Sequence, residues 1–552
     1  MRRARLAGAG VCLALLLGGC ASLPMAGAPH QFPMEVPNRD PVGQYGSGPQ
    51  VGSTPEQLIS DFLLASAAGV YDDYVTARKY LLPQAVASWV PTAQVTVFPT
   101  DQVPTPELGS ETARKAEVRL DVPLMATLDE DSVLHELGDV TESPVDFTLG
   151  KDASGEWRIA SLEDGLVLSQ SALTAGFSQF NVYFPSADDE VLVAEPRWVP
   201  RMRAASHLAQ EVLRGPSELV AGAVLGNLAV GLTLPTGAVE VRDGVARVKL
   251  EGELPEDGEA RGLFQWQMAQ TLLQAPQVDD VVVEVRGAAL DAPERPDAPV
   301  FDLDRAVALT DEGLVLGALS APEVVVPVAE LGDPAAGEAT FPAVGPLADS
   351  PVAWVAPGGT TVEVRAPGAA EQTSFPVSGA TKLSMDRFGN VWTAPGGGVQ
   401  VLLPSGESRA VAAELSGAPV NRVVVSPDGA RVAFLAGGAR DRSVWVGALD
   451  AETLTVGPLS RDPRVGGEVS DIAWAGNTTV LALTHDGSVE VQSAPIGGFL
   501  RRVAGPVGGE WVSAIGPQMS ALVQDRDQSA YQRVGAAWAP LGDELRYLST
   551  AG

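Results

Sequence analysis

The apolar positions of the 552-residue chain change rhythm three times. From Thr54 the spacing is helical: Thr54, Pro55, Glu56 and Gln57 supply an N-cap, a first-turn proline and an early acid, and Leu58, Phe62 and Leu63 then share one face. A second apolar stretch runs from Tyr71 to Trp89. Alternating segments follow around Val95 to Phe98, Ala116 to Val122 and Val145 to Leu149, ending in Gly155-Glu156-Trp157-Arg158-Ile159. Helices first and strands afterwards predict an α+β domain over 54–168 with an antiparallel sheet. His135 and the acids Asp129, Glu130 and Asp131 cluster inside it and read as a solvated turn.

Between about 178 and 290 helix and strand alternate. Tyr183-Phe184-Pro185 opens the segment, and Leu208, Val212 and Leu213 line one face of a helix that stops at Gly215-Pro216. Val239 to Val248 alternate about Asp243-Gly244, a hairpin signature, and a second helix near Leu263 to Leu273 leads into a strand at Val281 to Val285. Gln274 to Pro276 stands at the turn before that strand.

Beyond residue 300 helical periodicity gives way to short apolar strands separated by Gly, Pro and Asp turns. Superposed turn-and-strand segments place Val391, Val432, Val480 and Ala521 at intervals of 41, 48 and 41 residues, with fainter copies near Val315 and Trp354. That period matches one four-stranded blade of a β-propeller, and about six blades fill residues 300–552. A pair of β-sandwiches is the rival. Tryptophans at 354, 392, 445, 474, 511 and 538 fit packing between blades, and His485-Asp486-Gly487 fits a blade hairpin.

The chain starts with a different pattern: Arg2, Arg3 and Arg5, an apolar run from Val11 to Leu17, and small residues before Cys20. This is the order of an export signal, and the run is far shorter than the roughly 20 residues that span a bilayer. Leu17-Gly18-Gly19-Cys20 resembles the lipobox of bacterial lipoproteins. The resemblance implies removal of residues 1–19 and attachment of a diacylglyceryl group to the Cys20 thiol. Cys12 would leave with the signal, so no disulfide can form and stability must come from packed cores. Residues 20–53, with Pro24, Pro29, Pro33, Pro37, Pro41 and Pro49 among Gly and Ser, read as an extended tether.

Charge narrows the partners. The net charge of −32 becomes −35 once the three signal arginines are gone, which argues against nucleic acid and against a polybasic clamp on anionic lipid. Acyl chains, at about 0.8 kcal/mol per buried methylene, would then do the membrane binding. No G-x-S-x-G elbow, H-E-x-x-H pair, phosphate loop or dinucleotide fingerprint occurs, and His30, His135, His207 and His485 are scattered. No catalytic residue, metal or cofactor is therefore expected. Asp188-Asp189 and Asp525 with Asp527 read as solvated turns in an acidic chain.

The Trp157-Arg158-Ile159 run is similar to the last strands of the nuclear-transport-factor-2-like (NTF2-like) superfamily, whose cone is either a ligand pocket or a packed core. The segment 178–290 resembles the GerMN domain, a binding or assembly module named from sporulation and germination proteins. Lipobox, tether, α+β domain, GerMN-like domain and propeller, in that order, resemble the LpqB family of actinobacterial lipoproteins along the whole chain. The resemblance implies a non-enzymatic, membrane-anchored extracytoplasmic accessory protein. Its implied partner is the extracellular part of the sensor kinase MtrB of the MtrA/MtrB two-component system, with an effect on envelope and division signalling. An anchored cell-wall hydrolase or ligand sensor using the propeller funnel is the alternative. Buried acids converging on the channel would favour the hydrolase, and a plugged channel would count against it.

Overall fold

Thr54 accepts the Gln57 N–H while the Gln57 side chain accepts the Thr54 N–H, and this capping box starts helix α1 (Pro55–Ala67). In the computed structural model the described residues are 46–551, without 254–256, 292–297, 320, 332–337, 517–519 and 543. Leu17, Gly18, Gly19, Cys20 and most of the tether lie outside them. Leu58, Ile59, Phe62 and Ala65 of α1 face inward, and short helices α2 (Val75–Arg78) and α3 (Pro83–Ser88) carry the stretch up to Trp89.

The strands here are β1 (Val95–Phe98), β2 (Pro106–Glu111), β3 (Lys115–Leu128), β4 (Leu134–Lys151), β5 (Trp157–Ser161) and β6 (Leu166–Ser169). They form a sheet in the order β5-β4-β3-β1-β6, with β2 on β3. One pairing departs from the expected antiparallel pattern: β6 returns parallel to β1, Val95 opposite Leu166. The cone enclosed by α1 and the sheet is filled. The ring of Phe62 lies 5.6 Å from Trp89, 6.1 Å from Tyr80 and 6.2 Å from Phe147, leaving a void of about 40 Å³. Of the two options for such a cone, the packed core is the one observed.

Helix α4 (Gln170–Gly176) leads into a long hairpin, β7 (Phe177–Pro185) and β8 (Leu192–Pro200). Phe177 and Trp198 at one end belong to the first core, whereas Val182, Phe184 and Val193 belong to the second. The second core is completed by α5 (Ala204–Arg214), β9 (Leu232–Thr233), β10 (Val239–Arg242), β11 (Val245–Gly252), α6 (Gly258–Leu272), β12 (Asp280–Val285) and β13 (Ala288–Ala289). Asp243 and Gly244 adopt φ of 50° and 78°, the left-handed pair a tight β10–β11 turn requires. α6 crosses over so that β12 pairs parallel to β11.

The described residues of 306–550 form six sheets around one axis, five of four strands and the fourth blade with a fifth short strand, which excludes the sandwich pair. The inner strands are Thr340–Val344, Ser384–Met385, Val420–Val425, Glu468–Trp474, Gly509–Ile515 and Arg546–Thr550, and each packs against the next around the ring. Val391, Val432, Val480 and Ala521 all lie on second strands. In the first blade the register differs from the expected one. Val315 is on the third strand, and the second strand is Ala306–Leu309, because the inner position is taken by Arg546–Thr550 from the far end of the propeller. Trp354, Trp392 and Trp474 are fully buried between blades.

Candidate functional site

The β7–β8 hairpin holds all three modules together. Trp198 Nε1 and Gln179 Nε2 donate to the Gly497 carbonyl of the fifth blade at 2.7 and 2.9 Å, and Phe499 meets the Trp198 ring edge-on at 5.9 Å. Beside them Glu136 of β4 accepts the Leu500 N–H at 2.6 Å. At the other end of the hairpin Arg431 of the fourth blade donates to the Ala194 carbonyl at 2.6 Å, and Ala430 and Ala448 join the second core. Gln274 Nε2 donates to the Asn181 carbonyl at 2.6 Å while Thr271 Oγ1 accepts the Tyr183 N–H at 3.1 Å, so side chains of the α6 end satisfy the free edge of β7.

Arg197, on β8, is fully buried. It pairs with Glu195 at 2.7 Å and Glu211 at 2.9 Å and donates to the Gly215 carbonyl at 2.6 Å. Burial pushes the Glu211 carboxyl up, and Arg197 and Arg214 only partly pull it back. Ser132 of the β3–β4 turn donates to Glu211 at 3.1 Å, and the Arg214 guanidinium reaches the Glu130 carbonyl. The cluster of Asp129, Glu130, Asp131 and His135 is therefore more than a solvated turn. Asp129 and His135 bond each other at 2.6 Å, and the turn is fastened to α5 and β8.

Where the second module meets the third and fourth blades, a cleft of about 440 Å³ opens. Asp188, Arg387, Phe388, Leu403, Ala430 and Leu454 are among its walls. Arg387 pairs with Asp188 and, at 3.0 Å, with Glu190, and donates to the Asp428 carbonyl at 3.0 Å. Burial would raise the Asp188 carboxyl, but Ser186 and Arg387 hold it below its usual value. Asp188 is thus an ion-pair partner across modules and not the solvated turn its acidic neighbourhood predicted. Asp525, by contrast, caps its own hairpin through the Ser529 N–H at 2.9 Å, beside an exposed Asp527.

The propeller axis is closed. The void on it measures about 20 Å³ and is lined from all six blades. At the start of the inner strands Lys382 pairs with Asp471 at 2.8 Å and Arg422 Nε lies 3.2 Å from the other Asp471 oxygen. Burial brings the Lys382 amine down to about 8 despite Asp471. Across the mouth Phe341, Tyr547 and Trp511 touch in sequence at 5.2 and 5.9 Å. Phe341 and Tyr547 have φ of 50° and 51°, values that β-carbon sterics disfavour. Among the described residues no group of three or more His, Cys, Asp or Glu could hold a metal ion.

Among the charged residues of these sites, residue patterns bring forward Asp188 and the cluster of Asp129, Glu130, Asp131 and His135, each as a solvated turn. Arg387 and Asp188, and Lys382, Arg422 and Asp471, are partners far apart in sequence, and no local motif unites them. The available signal was a basic residue inside an apolar run, as in Val-Asn-Arg-Val-Val-Val, 420–425.

The sequence matches the family described as "Lipoprotein LpqB, N-terminal domain" over residues 48–174. It matches "Sporulation and spore germination" over 181–291 and "Lipoprotein LpqB beta-propeller domain" over 318–546. A "Lipoprotein LpqB" of Thermobifida fusca (strain YX) is 28% identical across 88% of both chains. One of Nocardia farcinica (strain IFM 10152) is 30% identical over 42% of this chain and 39% of its own. Among solved structures a chain of a nidogen/laminin complex aligns with 45% of this chain and 98% of its own at 11% identity and a TM-score of 0.35. A streptogramin B lyase aligns with 43% and 83% at 10% and 0.31; both likenesses are too slight to bear on function. In the order of the fold the sequence matches define the class: a GerMN-containing lipoprotein ending in a β-propeller. The chain belongs to the LpqB lipoprotein family. Membership brings association with a membrane, and no helix among the described residues is long and apolar enough to cross one.

Proposed function

We propose that this chain is anchored through a lipid on Cys20, after cleavage at the Leu17-Gly18-Gly19 lipobox, to the outer face of the cytoplasmic membrane. There it acts as an accessory protein that binds the extracellular part of the sensor kinase MtrB and modulates envelope and division signalling. The observation that carries this reading is the rigid joining of three modules. The β7–β8 hairpin seats the first two on the propeller face that bears the turns after inner and third strands, at 387–390, 428–431 and 496–500. The opposite face, where the inner strands begin, is left for a partner. Tethering keeps that face in the partner's thin layer and raises its effective concentration without any new contact. The hydrolase reading loses ground, because among the described residues the axial void is lined by no carboxylate and Asp471 beside it is already paired with two cations. The ligand-sensor reading draws on the cleft of about 440 Å³ beside Arg387, large enough for a small molecule.

The test is recovery of the kinase from actinobacterial membranes with the full-length protein, its Cys20→Ser form, and a Tyr547→Ala, Trp511→Ala form altered at the free face. Recovery with the parent, reduced in both altered forms, supports the proposal. Equal recovery of no kinase by all three rejects the partner. Unchanged membrane fractionation of Cys20→Ser rejects the anchor.

A further inference from the structure

We propose that the propeller axis holds one dehydrated monatomic anion of the halide class, bound between Arg422 and hydroxyls contributed by three blades. The argument starts from charge. Lys382, Arg422 and Asp471 are each at least nine-tenths buried, and Asp471 is the only carboxylate within ion-pairing distance of either cation among the described residues. Two cations against one anion leave an excess of +1 in a place where uncompensated charge is costly. Hydrogen bonding is incomplete as well: Arg422 Nε sits 3.2 Å from Asp471 without the alignment of a hydrogen bond, and is buried with no acceptor.

The void on the axis faces the same arginine. Its walls include Ser384, Ser513 and Ser549, from the third, sixth and first blades. Ser384 Oγ accepts the Val425 N–H at 3.1 Å and keeps its proton to donate. Ser513 and Ser549, each only 6% exposed, line the same void. Hydroxyls that can turn their protons toward a space beside a buried guanidinium N–H without an acceptor form an anion cradle, since such an N–H forfeits its hydration. At about 20 Å³ the void takes one water-sized sphere, so a carboxylate, sulfate or phosphate is too large. A water would satisfy the hydroxyls and leave the charge; a halide satisfies both. The Phe341, Tyr547 and Trp511 collar lies at the level of the ion pairs and limits their contact with solvent. The ion would add a tie among the first, third and sixth blades to the ion pairs and hydrogen bonds that already join inner strands.

The test compares thermal midpoints of the full-length protein in sodium chloride, sodium bromide and sodium gluconate at equal ionic strength, so that screening is the same in each. A saturable rise of a few degrees in chloride and bromide over gluconate is expected. It should shrink by more than half in the Ser513→Ala, Ser549→Ala double variant, which removes donors without touching the ion pairs or the packing. Crystals grown in bromide should show an anomalous peak within hydrogen-bonding distance of Ser513 and Ser549. Three results overturn the proposal: equal midpoints in all three salts, a halide effect of the same size in the double variant, or bromide on the surface alone as an adventitious ion only. Arg422→Met serves as a second variant and should abolish the halide effect in whatever fraction folds.

Discussion

Substituting Arg197 by methionine tests whether the buried node on β8 is what locks the modules. Arg197 is the shared partner of Glu195 and Glu211, both almost inaccessible, so Arg197→Met strands two carboxylates. Breaking a buried pair costs roughly 3–5 kcal/mol. Here the lower end applies, since Glu211 keeps Ser132 and Arg214 and Glu195 keeps the Ser217 hydroxyl. We expect a loss of about 3 kcal/mol near neutral pH. The pH dependence gives a sharper check. Burial already holds Glu211 above its usual value, and removing the guanidinium pushes it higher. A carboxyl with a raised native pKa binds more protons folded than unfolded, so its contribution is present at low pH and lost as pH rises through the native value. The variant should therefore be closer to the parent at about pH 5.5 than at about pH 8. Urea unfolding followed by tryptophan fluorescence reads this, with neighbouring Trp198 reporting locally. Adding Glu195→Gln and Glu211→Gln should recover much of the loss. A loss under about 1 kcal/mol at both pH values, or a larger loss at the acidic one, would falsify the assignment.

Three further expectations follow from the same contacts. Arg387→Gln and Asp188→Asn should be non-additive in a double-mutant cycle by about 1–3 kcal/mol, and additivity would mean that the bond across the cleft does not couple the modules. Trp198→Phe keeps an aromatic ring but loses the donor to Gly497 and part of the indole's packing, costing at least about 1 kcal/mol and speeding amide exchange around residues 496–500; unchanged exchange there would count against the docking role. For Lys382, whose amine burial lowers from 10.5 to about 8, the unfolded chain binds more protons between those values. Its stabilising effect is full above that window and fades as pH falls through it, so stability should climb across the window in the parent and stay flatter in Lys382→Met.

What the sequence made legible follows from whether the signal was local. The capping box at Thr54, the Asp243-Gly244 turn and the stop at Gly215 each lie within a few residues, and the structure has them where the pattern put them. The blade period was legible because in the second to sixth blades the inner and second strands share one short turn. The parallel β6 and the crossed register of the first blade were not, since in both the partner strand comes from far along the chain. The interfaces failed for another reason: acids are so common in this chain that Asp188, which meets Arg387 199 residues away, looks like any solvated aspartate.

The inner strand of the first blade has a consequence for the order of events during synthesis. Arg546 reaches Thr310 across 236 residues, so the first three strands of that blade are made long before their partner exists. Until Arg546–Thr550 arrives, the hydrogen-bonding edge of Ala306–Leu309 stands open, a template for mispairing with a neighbouring chain. Closing so long a loop is slow in entropy terms but adds little to its equilibrium cost, which grows only as the logarithm of length. Ring closure is thus a kinetic bottleneck more than a thermodynamic one. Substitutions in that short final strand should show first as aggregation during production, before any loss appears in the purified protein.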